Sequence, residues 1–86
     1  MSSIGGTTLS TTRAKFLDAD AGRVEVRIFN LDATNAVYIA PGVDAVAEQG
    51  EIIRIQDFTI LTGRYATMTL TAVASGGTPK ISWVAI

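Results

Sequence analysis

The chain has no cysteine and no histidine. Without cysteine no disulfide can staple the fold, and no thiolate metal site or thiol nucleophile is available. Without histidine the commonest general base and the commonest metal ligand are missing. Charge is sparse and balanced, with seven Lys plus Arg against eight Asp plus Glu. The basic excess typical of a nucleic-acid binder is therefore absent. No apolar run approaches the roughly 20 residues of a membrane helix. The start, Met1 to Ser10, lacks a basic region followed by an apolar stretch, so no signal peptide is expected there.

What remains is a globular composition in 86 residues, 48% of them hydrophobic. That is enough for one domain with a modest core. A domain this small with no disulfide gains from a partner surface, which makes a homo-oligomer the expectation.

Alternation is the main pattern. In Arg23 to Asn30, Val24, Val26 and Ile28 fall on one face and Glu25, Arg27 and Phe29 on the other, the period of a half-buried antiparallel strand. Thr67 to Ala74 sets Met68, Leu70, Ala72 and Ala74 against Thr67, Thr69, Thr71 and Val73. Further strands are expected at about Leu9 to Leu17, Val37 to Ala40, Glu51 to Phe58 and Lys80 to Ile86. Turn formers punctuate the chain at Asp18 to Gly22, Asn30 to Asn35, Pro41-Gly42, Thr62 to Arg64 and Ser75 to Pro79. Val43 to Gln49 fits either a short helical turn or an irregular strand. The expected fold is all-β: a small antiparallel β-sandwich or barrel of about six or seven strands with an N-terminal arm. Residues 1–12, rich in Ser, Thr and Gly, form the flexible arm, either a loose tail or a segment that orders on a neighbour. Residues 13–86 form a single β domain. Val24, Val26, Ile28, Ile39, Ile53, Ile55, Leu70 and Trp83 are the expected core.

No constellation of catalytic residues stands out. Asp18 and Asp20 have a spacing that can share a calcium ion, but the further oxygen ligands of a calcium loop do not follow. Asp44, Glu48 and Glu51 offer carboxylates for glycoside chemistry, yet as charges they read as a solvated face. A serine nucleophile would have only Lys15 or Lys80 as base, and neither lies in a motif. Gly5-Gly6 and Gly76-Gly77 do not form a phosphate loop. The expectation is a protein that is not an enzyme, with no cofactor, no metal, no small-molecule substrate, no nucleic acid and no membrane. The residues expected to contact another chain are Ile4 and Leu9 on the arm, Phe29 on the polar face of its strand, and Tyr38.

The stretch VEVRIFNLDATNAVYIAPGVDAVAEQGEIIRIQDF, Val24 to Phe58, resembles small β-structured virion proteins of tailed bacteriophages. The shared rhythm is a strand ending in Asn, a turn, a VYIG-like strand, a Val-containing loop with Gly, and another strand. TMTLTAVA, a Gly-rich hairpin and a terminal strand follow. Ala40 stands where that rhythm has Gly, and no Pro-Gly turn follows Gly50. The resemblance implies a capsid decoration (cement) protein on the virion surface. It would be a trimer whose partner is the major capsid protein, and it would stabilise the shell by bridging capsid subunits. The alternative is a carbohydrate- or receptor-binding module of a tail or head fibre.

Overall fold

Val26 and Ile28 alternate into a fully buried core, and the strands around them follow the same period of two. The computed structural model describes residues 3–46 and 49–86. Among the described residues eight strands, β1 (Ser3–Thr8), β2 (Ala14–Leu17), β3 (Glu25–Asn30), β4 (Val37–Pro41), β5 (Glu51–Ile53), β6 (Phe58–Thr62), β7 (Leu70–Ala74) and β8 (Lys80–Ala85), form two antiparallel sheets. Sheet A has the order β1-β8-β3-β6 and sheet B the order β2-β7-β4-β5. One helical turn, α1 (Arg64–Thr67), links β6 to β7. The protein is a small β-sandwich.

Between the sheets lie Val26 and Ile28 of β3, Leu61 of β6 and Ile81 and Ala85 of β8. Val37, Ile39, Ile53, Leu70, Ala72 and Ala74 oppose them from sheet B. Trp83 is half-buried at the β1/β2 side, where its ring lies 5.6 Å from Phe16 and ties the sheets together. Two expected core residues are not in it. Val24 is 69% exposed. It keeps the phase of β3 but lies one residue before it, where the chain runs past the core alongside Ile86. Ile55 is 49% exposed because β5 ends at Ile53 and the chain reverses. Asp57 N–H donates to the Arg54 carbonyl, and Gln56 takes a φ of 53°. The expected Glu51 to Phe58 strand is thus two strands in different sheets. The expected Thr67 to Ala74 strand begins only at Leu70.

The N-terminal arm is also corrected. Ser3–Thr8 is an integral strand, paired with β8 in unbroken register from Ser3 opposite Ala85 to Thr8 opposite Lys80. Two adjacent glycines weaken a strand, but at Gly5 the missing side chain is what makes pairing possible. Gly5 faces Trp83 across the ladder, and a Cβ there would overlap the indole. The domain boundary expected after residue 12 therefore disappears. Leu9, 3% exposed, belongs to the core, and Leu9 to Thr12 carry the chain from sheet A to sheet B.

Two polar side chains brace the ends. Arg23 is buried, and its guanidinium donates to the backbone carbonyls of Ala66, Asp18 and Met68, locking α1 to the turn before β3. Asn30 is buried at the end of β3, where its Nδ2 donates to the carbonyls of Asn35, Ile53 and Arg54 and its Oδ1 accepts from Asp32 N–H.

Candidate interaction surface

The two outer faces differ. On sheet B, Tyr38 and Val73 are covered by their own chain. Ala45 packs on them, and Thr71 Oγ1 fixes the loop by accepting from Ala45 N–H and donating to the Val43 carbonyl. Of Val43 to Gln49, residues 43–46 and Gln49 form no helix or strand, while Ala47 and Glu48 lie outside the described residues. Sheet A has no such cover among the described residues.

Register places the outer residues of sheet A in rows. Ile4, Val84, Arg27 and Ile60 lie side by side across β1, β8, β3 and β6. The next row is Gly6, Ser82, Phe29 and Phe58. Ile4 is 81% exposed and Phe58 54%. The rings of Phe29 and Phe58 stand 5.8 Å apart, tilted by 35°. Charge on these rows is compensated: Arg27 Nε lies 2.6 Å from Glu25 Oε2, two residues along the same strand. Such partly exposed pairs contribute about 0 to 1 kcal/mol, so this one serves to keep the face neutral more than to hold the fold.

At the Asn30 end of this face, two shallow clefts flank the exposed side chain of Leu31. One, of about 270 Å³, is lined by Phe29, Phe58, Gln56 and Asp57. The other, of about 340 Å³, lies over Gly6 and Ser82 and reaches Thr8 and Lys80. The clefts are held open by backbone anchors. Asn30 N–H donates to Asp57 O, Leu31 N–H to Lys80 O and Gln56 N–H to Asp32 O. Asp32 Oδ2 in turn accepts from the backbone N–H groups of Thr34 and Asn35 and from Asn35 Nδ2. Gln56 holds a left-handed φ of the kind usually left to glycine, at the lip of the first cleft.

Of the four residues expected to contact another chain, Ile4 and Phe29 lie on this face. Leu9 is in the core, and Tyr38 is buried beneath the Ala45 loop, so neither is available. Phe58, Ile60, Leu31 and Val84 complete the surface and were not expected. The strand expected over Glu51 to Phe58 stops at Phe58, so Thr59 to Leu61, which carry the alternation on into β6, lie beyond it.

The carboxylates considered for chemistry go elsewhere. Lys15 Nζ lies 2.6 Å from Asp18, and its hydrogen bond and charge hold that carboxyl below the usual range. Asp20 Oδ1 accepts from Gly22 N–H, as in a simple turn. Asp44 pairs with Arg13 at 3.3 Å and Glu51 accepts from the Thr59 hydroxyl at 2.9 Å. Glu48 lies outside the described residues. Among the described residues no three potential metal ligands gather, and no helix is long and apolar enough to cross a membrane. Arg64 lies over the Tyr65 ring at 5.2 Å and lowers the pKa of its hydroxyl through a hydrogen bond and its charge. This pair is exposed on α1, the turn that follows β6.

The groups gathered on sheet A are two aromatic rings, branched aliphatic side chains and one arginine in a compensated pair. This is the composition of a recognition surface, where aromatic and Arg side chains carry most of the binding energy. Comparison with models of known protein families finds no match, and neither does comparison with curated protein sequences.

Proposed function

We propose that this chain is a structural docking module whose outer face of sheet A seats on another protein. Its specific form is a capsid decoration protein of a tailed bacteriophage, held on the virion surface by contact with the major capsid protein. The observation that carries the docking reading is the contrast between the two faces. On sheet B the chain's own loop covers Tyr38 and Val73 and leaves Ile52 at the edge exposed, while sheet A presents Ile4, Val84, Ile60, Phe29, Phe58 and Leu31 with no loop over them among the described residues. The bacteriophage assignment rests on the sequence resemblance alone. The work would be mechanical. Burying this face against two neighbouring shell subunits adds interface that must be broken before the shell can expand.

The test is sedimentation of the purified chain with empty phage capsids, with a copy count per particle by mass spectrometry. Saturable, stoichiometric binding lost in Phe58→Asp, with circular dichroism unchanged, supports the reading. Absence of binding, or binding indifferent to Phe58, contradicts it.

One observation favours a second reading. The first cleft sets Phe29 and Phe58 beside the Gln56 and Asp57 side chains. An aromatic platform with an amide and a carboxylate suits a sugar ring. Glycan binding by the isolated chain without capsid association would favour a carbohydrate- or receptor-binding module.

A further inference from the structure

A β-sandwich has four outermost strands, and each is a template for pairing unless something blocks it. Two of the four are blocked here, and a third, the uncharged β6, has a carboxylate set beside it. β2 has four residues, a register break between Lys15 and Leu17, and the Lys15–Asp18 ion pair beside it. β5 has three residues and opens with Glu51. The Glu51 carboxylate also accepts from the Thr59 hydroxyl, which sets a charge against β6. β1 has none of these devices. It is six residues long, SIGGTT, without charge, proline or register break.

The same side of the sandwich is incompletely closed. β1 and β2 are the outermost strands of their sheets on this side, and the half-buried Phe16, Leu17 and Trp83 lie between them. On this side Lys15 pairs with Asp18 and Arg13 with Asp44, while Lys80, opposite Thr8, keeps its charge at one end of β1, so an antiparallel pairing along β1 sets the two copies of Lys80 at opposite ends.

We propose that two copies of this chain pair antiparallel along β1 about a two-fold axis, joining their sheets A into one eight-stranded sheet. A two-fold contact presents the same patch on both subunits, and an unblocked neutral strand is self-complementary in this sense. Side-chain alternation fixes the allowed registers. Outer residues must lie beside outer residues, so the axis passes through one residue and its own counterpart, and the fullest overlap of the six-residue strand puts Gly5 or Gly6 there. With glycine there, no side chain obstructs the approach. The pairing also covers the open edge of the Phe16–Trp83 contact. It is independent of the docking surface proposed above, since it uses the strand edge and leaves Phe58, Ile60 and Leu31 free, and it puts a dimer in place of the trimer that the sequence resemblance implies.

Sedimentation velocity and light scattering on the full chain over a concentration series test it. The expected result is a reversible monomer–dimer equilibrium. β1 amides should become more protected from hydrogen exchange as concentration rises. Ile4→Lys places a charge on this edge at a side chain that is already 81% exposed, so the fold should survive. It should weaken the dimer at least tenfold with circular dichroism unchanged. Phe58→Lys, on the opposite edge of the sheet, should leave the dimer intact. A monomer up to about 1 mM, the weak limit of specific association, would overturn the proposal. So would a trimer, or a dimer unaffected by Ile4→Lys. Loss of capsid binding in Phe58→Asp reports on the outer face of sheet A and not on the β1 edge, so failure of one proposal is distinguishable from failure of the other.

Discussion

Replacing Asn30 by alanine removes the side chain that joins β3, the 31–36 turn and the turn between β5 and β6. The residue is 1% exposed. Its two amide hydrogens are shared among the carbonyls of Asn35, Ile53 and Arg54 at 2.9 to 3.2 Å, and its oxygen accepts from Asp32 N–H at 3.0 Å. That amounts to three full hydrogen bonds, since two hydrogens can satisfy only two acceptors at once. At about 0.5 to 1.5 kcal/mol net for each, the expected cost is about 2 to 4 kcal/mol. Urea unfolding followed by circular dichroism measures it. With a slope of about 1 to 3 kcal/mol per M, the midpoint should fall by about 1 to 3 M while the slope is unchanged. Asn30→Asp sharpens the test, because it keeps the shape and loses the donors. A carboxylate facing three carbonyls is disfavoured, so its folded pKa rises above the unfolded value of about 3.9. The folded state then holds the proton more tightly, and the deficit should shrink as pH falls from 7 toward that value. Asn30→Ala within about 0.5 kcal/mol of the parent, a change typical of an ordinary surface site, would refute the reasoning. So would Asn30→Asp with no pH-dependent recovery.

Arg23→Met should cost about 2 to 4 kcal/mol, because three carbonyls lose a charged donor, and Arg23→Lys should not rescue it since a single ammonium cannot span all three; urea unfolding checks both. Gly5→Val should destabilise by about 1 to 3 kcal/mol by driving a side chain into Trp83, with a change in tryptophan fluorescence, whereas Thr7→Val on the same strand should be nearly neutral. Gln56→Gly should raise stability by up to about 1 kcal/mol by relieving the left-handed backbone, read as a higher urea midpoint. Asp18 should titrate below ordinary carboxylates by NMR and return to the usual range in Lys15→Ala; the stabilisation from its lowered pKa is present above the unfolded pKa and is lost as pH falls through the folded one.

The strands easiest to recognise in the sequence are those with one face in the core. β3, β7 and β8 each put alternate residues between the sheets, so period two is written in Val26 and Ile28, in Leu70 and Ala72, and in Ile81 and Ala85. β1 carries no such pattern. Its place depends on β8 and on the space Gly5 leaves for Trp83, which is a relation between residues far apart in the chain. The split of Glu51 to Phe58 was hidden because Ile52, Ile53 and Ile55 form a nearly continuous apolar run across a turn built without glycine. Exposure was legible where a strand ends or bears charges, as at Phe29. It was not where distant segments supply the cover: Tyr38 looks like an available aromatic until Ala45 folds over it. Arg23 and Asn30 stand in the sequence as a strand-flanking charge and a turn former. Their bracing role depends on carbonyls brought near only by the fold.

The central claim is that the outer face of sheet A, and not that of sheet B, is the working surface. The most direct measurement compares capsid binding by two charge insertions, Phe58→Asp on sheet A and Ile52→Asp on sheet B, both at exposed positions. Binding lost in the first and retained in the second is the predicted result; binding retained in the first, or lost only in the second, would contradict it.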